Sequence, residues 1–472
     1  MRYISGTPRD QAQMFPPLMD DFVAEENPVR FIDAFVDSLD MEELKFVRSE
    51  PKKTGRPGYD PKDLLKLYIY GYLNRIRSSR SLEKETHRNV ELMWLMRGLK
   101  PDFKTIADFR KNNKKGIAGV FREFTLLCKK NQLFGCELLG IDGSKFKAVN
   151  SQARNFNASR LAKVISQIEE RIEDYLEKLT KQDEKEAKAQ KATKKELREK
   201  IRKLTEQKEE LKKAETRLKE SQDSQASLTD EDARAMRGRH GKTVGYNVQI
   251  GVDHKHKLVA AVDVNQARND KDQLSGISQK SKENLGIEKC EVVADKGYYS
   301  HQEMAKCLDE GITPRVPPCR TRQQTSGRFT KEAFVYDKDA NTYTCPNGEV
   351  LKPLKKKSSD QAKTIYRTKA CKGCPLRDQC TTAKSGRQIE RSAYEDQIDE
   401  LEQESKKKGF LQKARKELVE HPFGVLKASF QYGSFLTKGM ENVRTEMNLA
   451  VLAYNMKRFF NIMGRERLME AL

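Results

Sequence analysis

The sequence predicts a mixed α/β fold, a sheet-bearing core preceded by helices and interrupted by two insertions. Three observations carry this. Two short apolar runs, 136–141 and 290–294, lead into GIDG and ADKG, which places Asp142 and Asp295 each at the end of a buried strand. A pair of alternating runs, 243–252 and 257–264, flanks the turn-like DHKH and reads as a β-hairpin. Long stretches with apolar residues at steps of three and four lie towards both ends of the chain. At 472 residues there is room for roughly two to four domains and for at least one sizeable core.

Residues 1–60 end in KKTGRPGYDP, whose glycines and prolines break any periodic pattern. Asp60 and Pro61 then open a helix, and helical spacing runs on to about 115 with one interruption at GLKP, so 1–136 is read as a compact helical bundle. Arg75, Arg77, Arg80, Arg110, Lys111, Lys114 and Lys115 give it basic faces. Short helices joined by turns can include a helix-turn-helix, and solvated charge on an ordinary packing domain is the bland alternative.

Residues 151–237 contain neither glycine nor proline and are dense in Lys, Glu and Gln. Ile165, Ile168, Ile172, Tyr175 and Leu179 repeat at helical steps, as do Leu197, Ile201, Leu204, Leu211 and Leu218. This predicts an inserted antiparallel helical hairpin or a dimeric coiled coil, mechanical in role. Residues 302–310 read as helix and ITPRVPP as one more strand. A second insertion, 319–409, is expected to be β and loop. Its stretch 351–373 carries eight Lys or Arg against one acid, either a backbone-binding surface or a solvated loop. The core is then expected from 137–150, 238–318 and 410–472, closing in the amphipathic ENVRTEMNLAVLAYNMKRFFNIM.

The net charge of +21, with 34% of residues charged, points to a polyanionic partner: DNA, RNA or an acidic membrane surface. No run of about 18 apolar residues occurs, and MRYISGTPRDQ at the amino terminus lacks the apolar core of a secretory signal, so a cytoplasmic protein with no membrane partner is expected. Nine scattered cysteines do not form a disulfide framework.

In-line attack on phosphorus needs a strong nucleophile and a stabiliser for the departing oxygen, which two Mg²⁺ ions ~4 Å apart supply. Mg²⁺ is a hard cation held by carboxylates. Aspartates at strand ends, joined by a third carboxylate on a later helix, meet that need, although a lone strand-end Asp is commonly a cap or turn residue. Taken together, GIDGSKFKAVNS (140–151), TVGYNVQIGVD (243–253), ADKGYYS (294–300) and VEHPFGVLK (419–427) closely resemble the DDE transposases of bacterial insertion sequences. The resemblance spans most of the chain, in the same motif order, and implies an RNase H-like core with a mixed sheet.

What the resemblance implies for residues is specific. Asp142, Asp295 and Glu420 fall on the catalytic metal ligands, which would hold two Mg²⁺ or Mn²⁺ ions. Lys427 fills the place of a family lysine seven residues after the glutamate, two helical turns on, so both side chains share a face and the cation can contact phosphate next to the cut. Lys145, Lys296, Tyr298 and Arg415 are further candidates for contacting DNA. Related groups carry Tyr and Arg seven and four residues before the glutamate, where this chain has Lys413 and Lys416, which leaves the end-processing chemistry and any DNA hairpin intermediate open. Pro422 requires the Glu420 helix either to begin there or to be kinked.

The implied partners are double-stranded DNA, both terminal inverted repeats and target, with a homodimer or larger assembly on DNA at the nucleoid. The implied reaction is metal-dependent cleavage at the ends followed by strand transfer of the 3′-OH. A catalytically retired DNA-binding descendant and a simple metal nuclease are the rival readings. Cys345, Cys371, Cys374 and Cys380, with one C-x2-C pair, are either a structural Zn²⁺ site or four reduced thiols packed in the insert. No histidine is assigned to catalysis.

Overall fold

The computed structural model describes residues 18–50, 57–150, 152–183, 190–220, 225–238, 241–318, 327–354, 363–407 and 411–472. The extreme amino terminus, part of the first glycine- and proline-rich loop, the tip of the predicted hairpin and lysines 355–357 of the basic stretch lie outside the described residues.

Helix α1 (Pro28–Asp37) starts on Asn27, whose side chain accepts from the Val29 amide. Helix α2 (Pro61–Leu73) starts as expected on Asp60, which accepts from the Lys62 amide, with Pro61 at the first helical position. The bundle continues through α3 (Ser79–Thr86), α4 (Val90–Leu95), α5 (Phe103–Asn112) and α6 (Lys114–Lys130). Nearly every residue of α2 is buried, which makes it the central helix. Its one buried lysine, Lys66, is compensated by Asp33 at 2.6 Å and Asp37 at 2.8 Å. Arg110 also turns inward, its guanidinium over the Tyr68 ring at 5.6 Å, so it is withdrawn from the basic faces read from the sequence.

Strand β1 (Leu138–Lys147) is followed by α7 (Ala158–Asp183) and α8 (Gln190–Glu220), with a short pair, β2 (Asn155–Phe156) and β3 (Ala226–Ser227), at their base. The two helices pack on each other within one chain around Leu161, Ile165, Ile168 and Leu211, and Lys208 reaches Glu169 across them at 2.9 Å. The insertion is therefore an intrachain hairpin. It also ends earlier than expected, because β4 (Arg234–Gly238) pairs with β5 and joins the main sheet.

That sheet comprises β4, β5 (Gly241–Asp253), β6 (Val259–Asn265), β1, β7 (Cys290–Val293) and β8 (Ile312–Arg315). The hairpin β5–β6 forms as the alternation predicts. β5 runs antiparallel to β1, whereas β7 is parallel to both β1 and β8. Helices α9 (Leu274–Leu285) and α10 (His301–Asp309) connect the parallel strands.

The second insertion is a separate five-stranded antiparallel sheet, β9 (Val335–Asp337), β10 (Thr342–Thr344), β11 (Val350–Pro353), β12 (Lys363–Arg367) and β13 (Gln388–Ser392), with the short α11 (Arg377–Cys380). Its own small core contains Phe334, Tyr343, Leu351, Tyr366 and Ile389. Helix α12 (Glu395–Lys407), expected within that insertion, instead binds the main sheet side: Glu404 pairs with Arg315 of β8 at 2.9 Å and Glu402 accepts from Tyr299 at 2.6 Å.

Helix α13 (Leu411–Gly424) carries Pro422 without stopping there and widens into a π-helical turn, Val425–Ser429. Proline lacks the amide that would bond one turn back, and π-type turns are one way a helix absorbs such a break. The closing helix α14 (Met440–Met463) crosses both halves of the molecule. Asn455 pairs in both directions with the backbone of Val259 on β6, while Phe459 meets Phe31 of α1 at 5.1 Å and Phe124 of α6 at 5.6 Å. The helical front end and the sheet thus share one continuous hydrophobic core. No described helix is long and apolar enough to cross a membrane.

Candidate active site

Asp142 is not at a strand end. β1 pairs with β7 only through Gly140, but its ladder with β5 continues unbroken to Lys147, so Asp142 lies mid-strand, just beyond the point where the parallel partner stops. Gly143, which looked like a strand break, serves packing instead. A Cβ there would stand 2.3 Å from Gln249 Nε2 and 2.8 Å from Asp270 Oδ1, so only glycine fits without displacing them. Asp295 does follow its strand as expected. It caps a short 3₁₀ turn and accepts from the Gly297 amide at 2.7 Å.

Alternation along β1 puts Gly140, Asp142 and Ser144 on one face. Helix α13 lies against that face. A Cβ on Gly140 would approach Val419 to 2.9 Å, and Lys427 donates to Ser144 Oγ at 2.6 Å and to the Lys145 carbonyl at 3.0 Å. The helix therefore touches β1 on both sides of Asp142. Glu420, adjacent to Val419, is exposed and makes no hydrogen bond or ion pair among the described residues.

Burial pushes the Asp142 carboxyl up to about 6, and the negative charges of Asp295 and Asp270 add to that while the Gly143 amide and Arg415 oppose it. Arg415 keeps a buried Nε without a hydrogen-bond partner. Two predicted residues thus share one electrostatic environment, Asp142 and Asp295, while α13, which carries Glu420, packs on the Asp142 face of β1 through Leu418 and Val419. Among the described residues no three His, Cys, Asp or Glu side chains stand ready to hold a metal ion.

The remaining candidates sort differently. Lys145 is largely buried and paired with Asp270 at 3.2 Å. Lys427 lies over the Phe146 ring at 4.6 Å, and burial lowers its pKa. Tyr298, a candidate either for contacting DNA or for packing behind the Asp295 loop, is buried and donates to Gln249 Oε1, which favours packing. Lys296 is exposed. His421 meets the Tyr454 hydroxyl at 3.0 Å, a structural role.

Asp270 was missed. Its Oδ1 accepts from Lys145, from Asn247 at 2.7 Å and from Gln249 at 2.8 Å, tying the underside of β1 and β5 to the loop before α9. The available signal was Asn247 and Gln249 themselves, two polar residues at alternate positions of an otherwise apolar strand, which must find a partner once buried.

In the insert, Cys345, Cys371, Cys374 and Cys380 line one small cavity of about 30 Å³ together with Arg387. Burial raises the Cys380 thiol, and the three neighbouring cysteines add to the rise. Arg387 has a buried Nε with no partner.

Comparison with known families gives two matches. Residues 17–112 match the model of a transposase domain, and residues 344–460, which include the cysteine cluster, α13 and most of α14, match the model of a transposase DDE domain. No curated protein and no solved structure matches the chain.

Proposed function

We propose, since both matched models describe transposase domains, that the chain acts as a DDE-type transposase of an insertion element in which Asp142, Asp295 and Glu420 form the catalytic metal site. The observation that carries this reading is the packing of α13 along the Asp142 face of β1, with Asp295 in the same electrostatic field. The strand order β6-β5-β1-β7-β8, with β5 antiparallel to β1 and β7 and β8 parallel to it, supports an RNase H-like core.

Three carboxylates are the right donors for a hard divalent cation, although among the described residues they do not yet stand gathered around one point. Asp142 is half-buried with its pKa raised towards neutrality, a state that a nearby dication relieves. Two Mg²⁺ or Mn²⁺ ions held there supply an activated oxygen nucleophile and charge stabilisation at the departing 3′ oxygen. The chain's own part is positional. The Gly297 amide fixes the Asp295 carboxylate, the Gly143 amide fixes that of Asp142, and Lys427 anchors α13 to β1 at Ser144, two residues from Asp142. Lys427 lies within the π turn Val425–Ser429, so the seven-residue spacing does not by itself set it on the Glu420 face of the helix. The substrates are double-stranded terminal repeats and target DNA, with two ends held by at least a dimer.

Incubating the chain with labelled end DNA, Mg²⁺ and a supercoiled target tests the reading. Strand transfer predicts that cleaved 3′ ends become covalently joined to the target. Cleavage without joined product would leave a metal nuclease, and binding without cleavage a retired DNA-binding protein.

The same proposal covers the insert. Four thiols lining one small cavity, beside a buried arginine with an unsatisfied Nε, have the chemistry of an anionic tetrathiolate around Zn²⁺, although as they stand they are not drawn together as a metal site. One equivalent of zinc per chain is expected on metal analysis, lost with Cys371→Ser and Cys374→Ser together. Native protein purified without chelator that carries no zinc would contradict it.

A further inference from the structure

An open pocket of about 420 Å³ lies where the helical front end meets the sheet, between the end of α2, the first turns of α3 and the loop at Leu436. Arg75, Arg77, Lys84 and Arg88 line it, along with the hydroxyls of Ser78 and Ser81, and its one carboxylate is Glu85. Glu85 is already paired with Arg88, three residues on. Arg77 is committed to the structure, donating to the Ser434 carbonyl at 2.8 Å and to Glu446 at 3.3 Å and lying over the Tyr432 ring. Arg75 and Lys84 are both exposed and form no close ion pair among the described residues, although the Lys84 charge helps to lower the pKa of the neighbouring Glu85.

On the helical hairpin charges neutralise one another locally, with Arg202 between Glu199 and Glu206. The pocket differs in being concave, hydroxyl-lined and left with two unpaired cations. Such a surface fits the phosphodiester backbone, which is bound by cations and hydroxyls without regard to base sequence.

Its position is also informative. Arg77 holds Ser434, and Ser434 bridges to Lys147, the last residue of β1. Lys147 is five residues beyond Asp142, or ~17 Å of strand, about half of a ~34 Å duplex turn. The pocket is thereby coupled through backbone contacts to the strand that carries the proposed catalytic aspartate.

We propose that this pocket seats a backbone phosphate of duplex DNA about half a helical turn or more from the cut, with Arg75 and Lys84 supplying the charge; this rests on the reading of the chain as an enzyme acting on DNA. Binding of the full chain to a fluorescent duplex, followed by anisotropy between about 50 and 200 mM salt, tests it. Arg75→Ala and Lys84→Ala should each weaken binding to any sequence and make the plot of log affinity against log salt shallower by about one, and the pair by about two. Arg75→Lys should restore the slope. The thermal midpoint should not move, since both side chains are exposed.

A double variant that keeps the wild-type slope overturns the pocket, whether its affinity falls or not. A wild-type chain whose affinity for DNA ignores salt overturns the DNA-processing reading itself, which keeps the two failures apart.

Discussion

Asp142→Asn is expected to lower strand cleavage by about 10³-fold or more, with Asp295→Asn and Glu420→Gln close behind, while binding of the same DNA ends stays nearly unchanged. The substitutions are nearly isosteric, so the fold has no reason to respond. What each removes is one negative charge from a site whose purpose is to concentrate charge, and an amide is a poor ligand for a hard dication. Asp142 should be the most sensitive, because it is half-buried on β1 between the two contacts of α13, whereas Glu420 is exposed and has more freedom to be replaced by water. Cleavage of labelled end DNA, with anisotropy run in parallel, separates chemistry from binding. Full cleavage by any one variant removes that residue from the site.

Glu446→Ala is expected to destabilise the protein by ~3–5 kcal/mol, read as a shift of the urea midpoint at unchanged slope. Glu446 is buried on α14 and accepts from the amides of Leu436 and Thr437, from the Thr437 hydroxyl and from Arg77. Its removal leaves Arg77, only 14% exposed, without its carboxylate and frees a loop that is bridged to the end of β1. Glu446→Gln keeps the acceptor oxygen and should cost markedly less. A shift under about 1 kcal/mol for the alanine variant would mean that the carboxylate is not the clasp between the helical front end and the sheet.

Local periodicity made much of this architecture legible. The steps of three and four at Ile165 and Ile168 and at Leu211 became the seam of the α7–α8 hairpin, and the alternation around DHKH became β5 and β6. Asp60 and Pro61 started α2 as their cap chemistry requires. What misled was anything decided by contacts distant in sequence. Gly143 read as a strand break because glycine weakens strands, yet here it makes room for Gln249 and Asp270, more than a hundred residues away. Tyr298 in ADKGYYS carries no mark that distinguishes a buried ring from one offered to DNA.

The same limit applies to charge. Arg110 and Arg75 look alike in sequence, but one lies over Tyr68 inside the bundle and the other faces an open pocket. The short strand β4 was absorbed into a helical reading because its composition matches the hairpin's, and only pairing with β5 makes it a strand. Asp270 was invisible for a related reason: a loop aspartate before a helix is usually a cap, and its three donors come from β1 and β5.

The measurement that bears most directly on the site is anomalous scattering from crystals of the chain grown with end DNA and soaked in Mn²⁺. Manganese peaks within ~2.2 Å of carboxylate oxygens from Asp142, Asp295 and Glu420 are predicted. Metal bound elsewhere with DNA in place, or Glu420 directed away from both aspartates in that complex, would contradict the account.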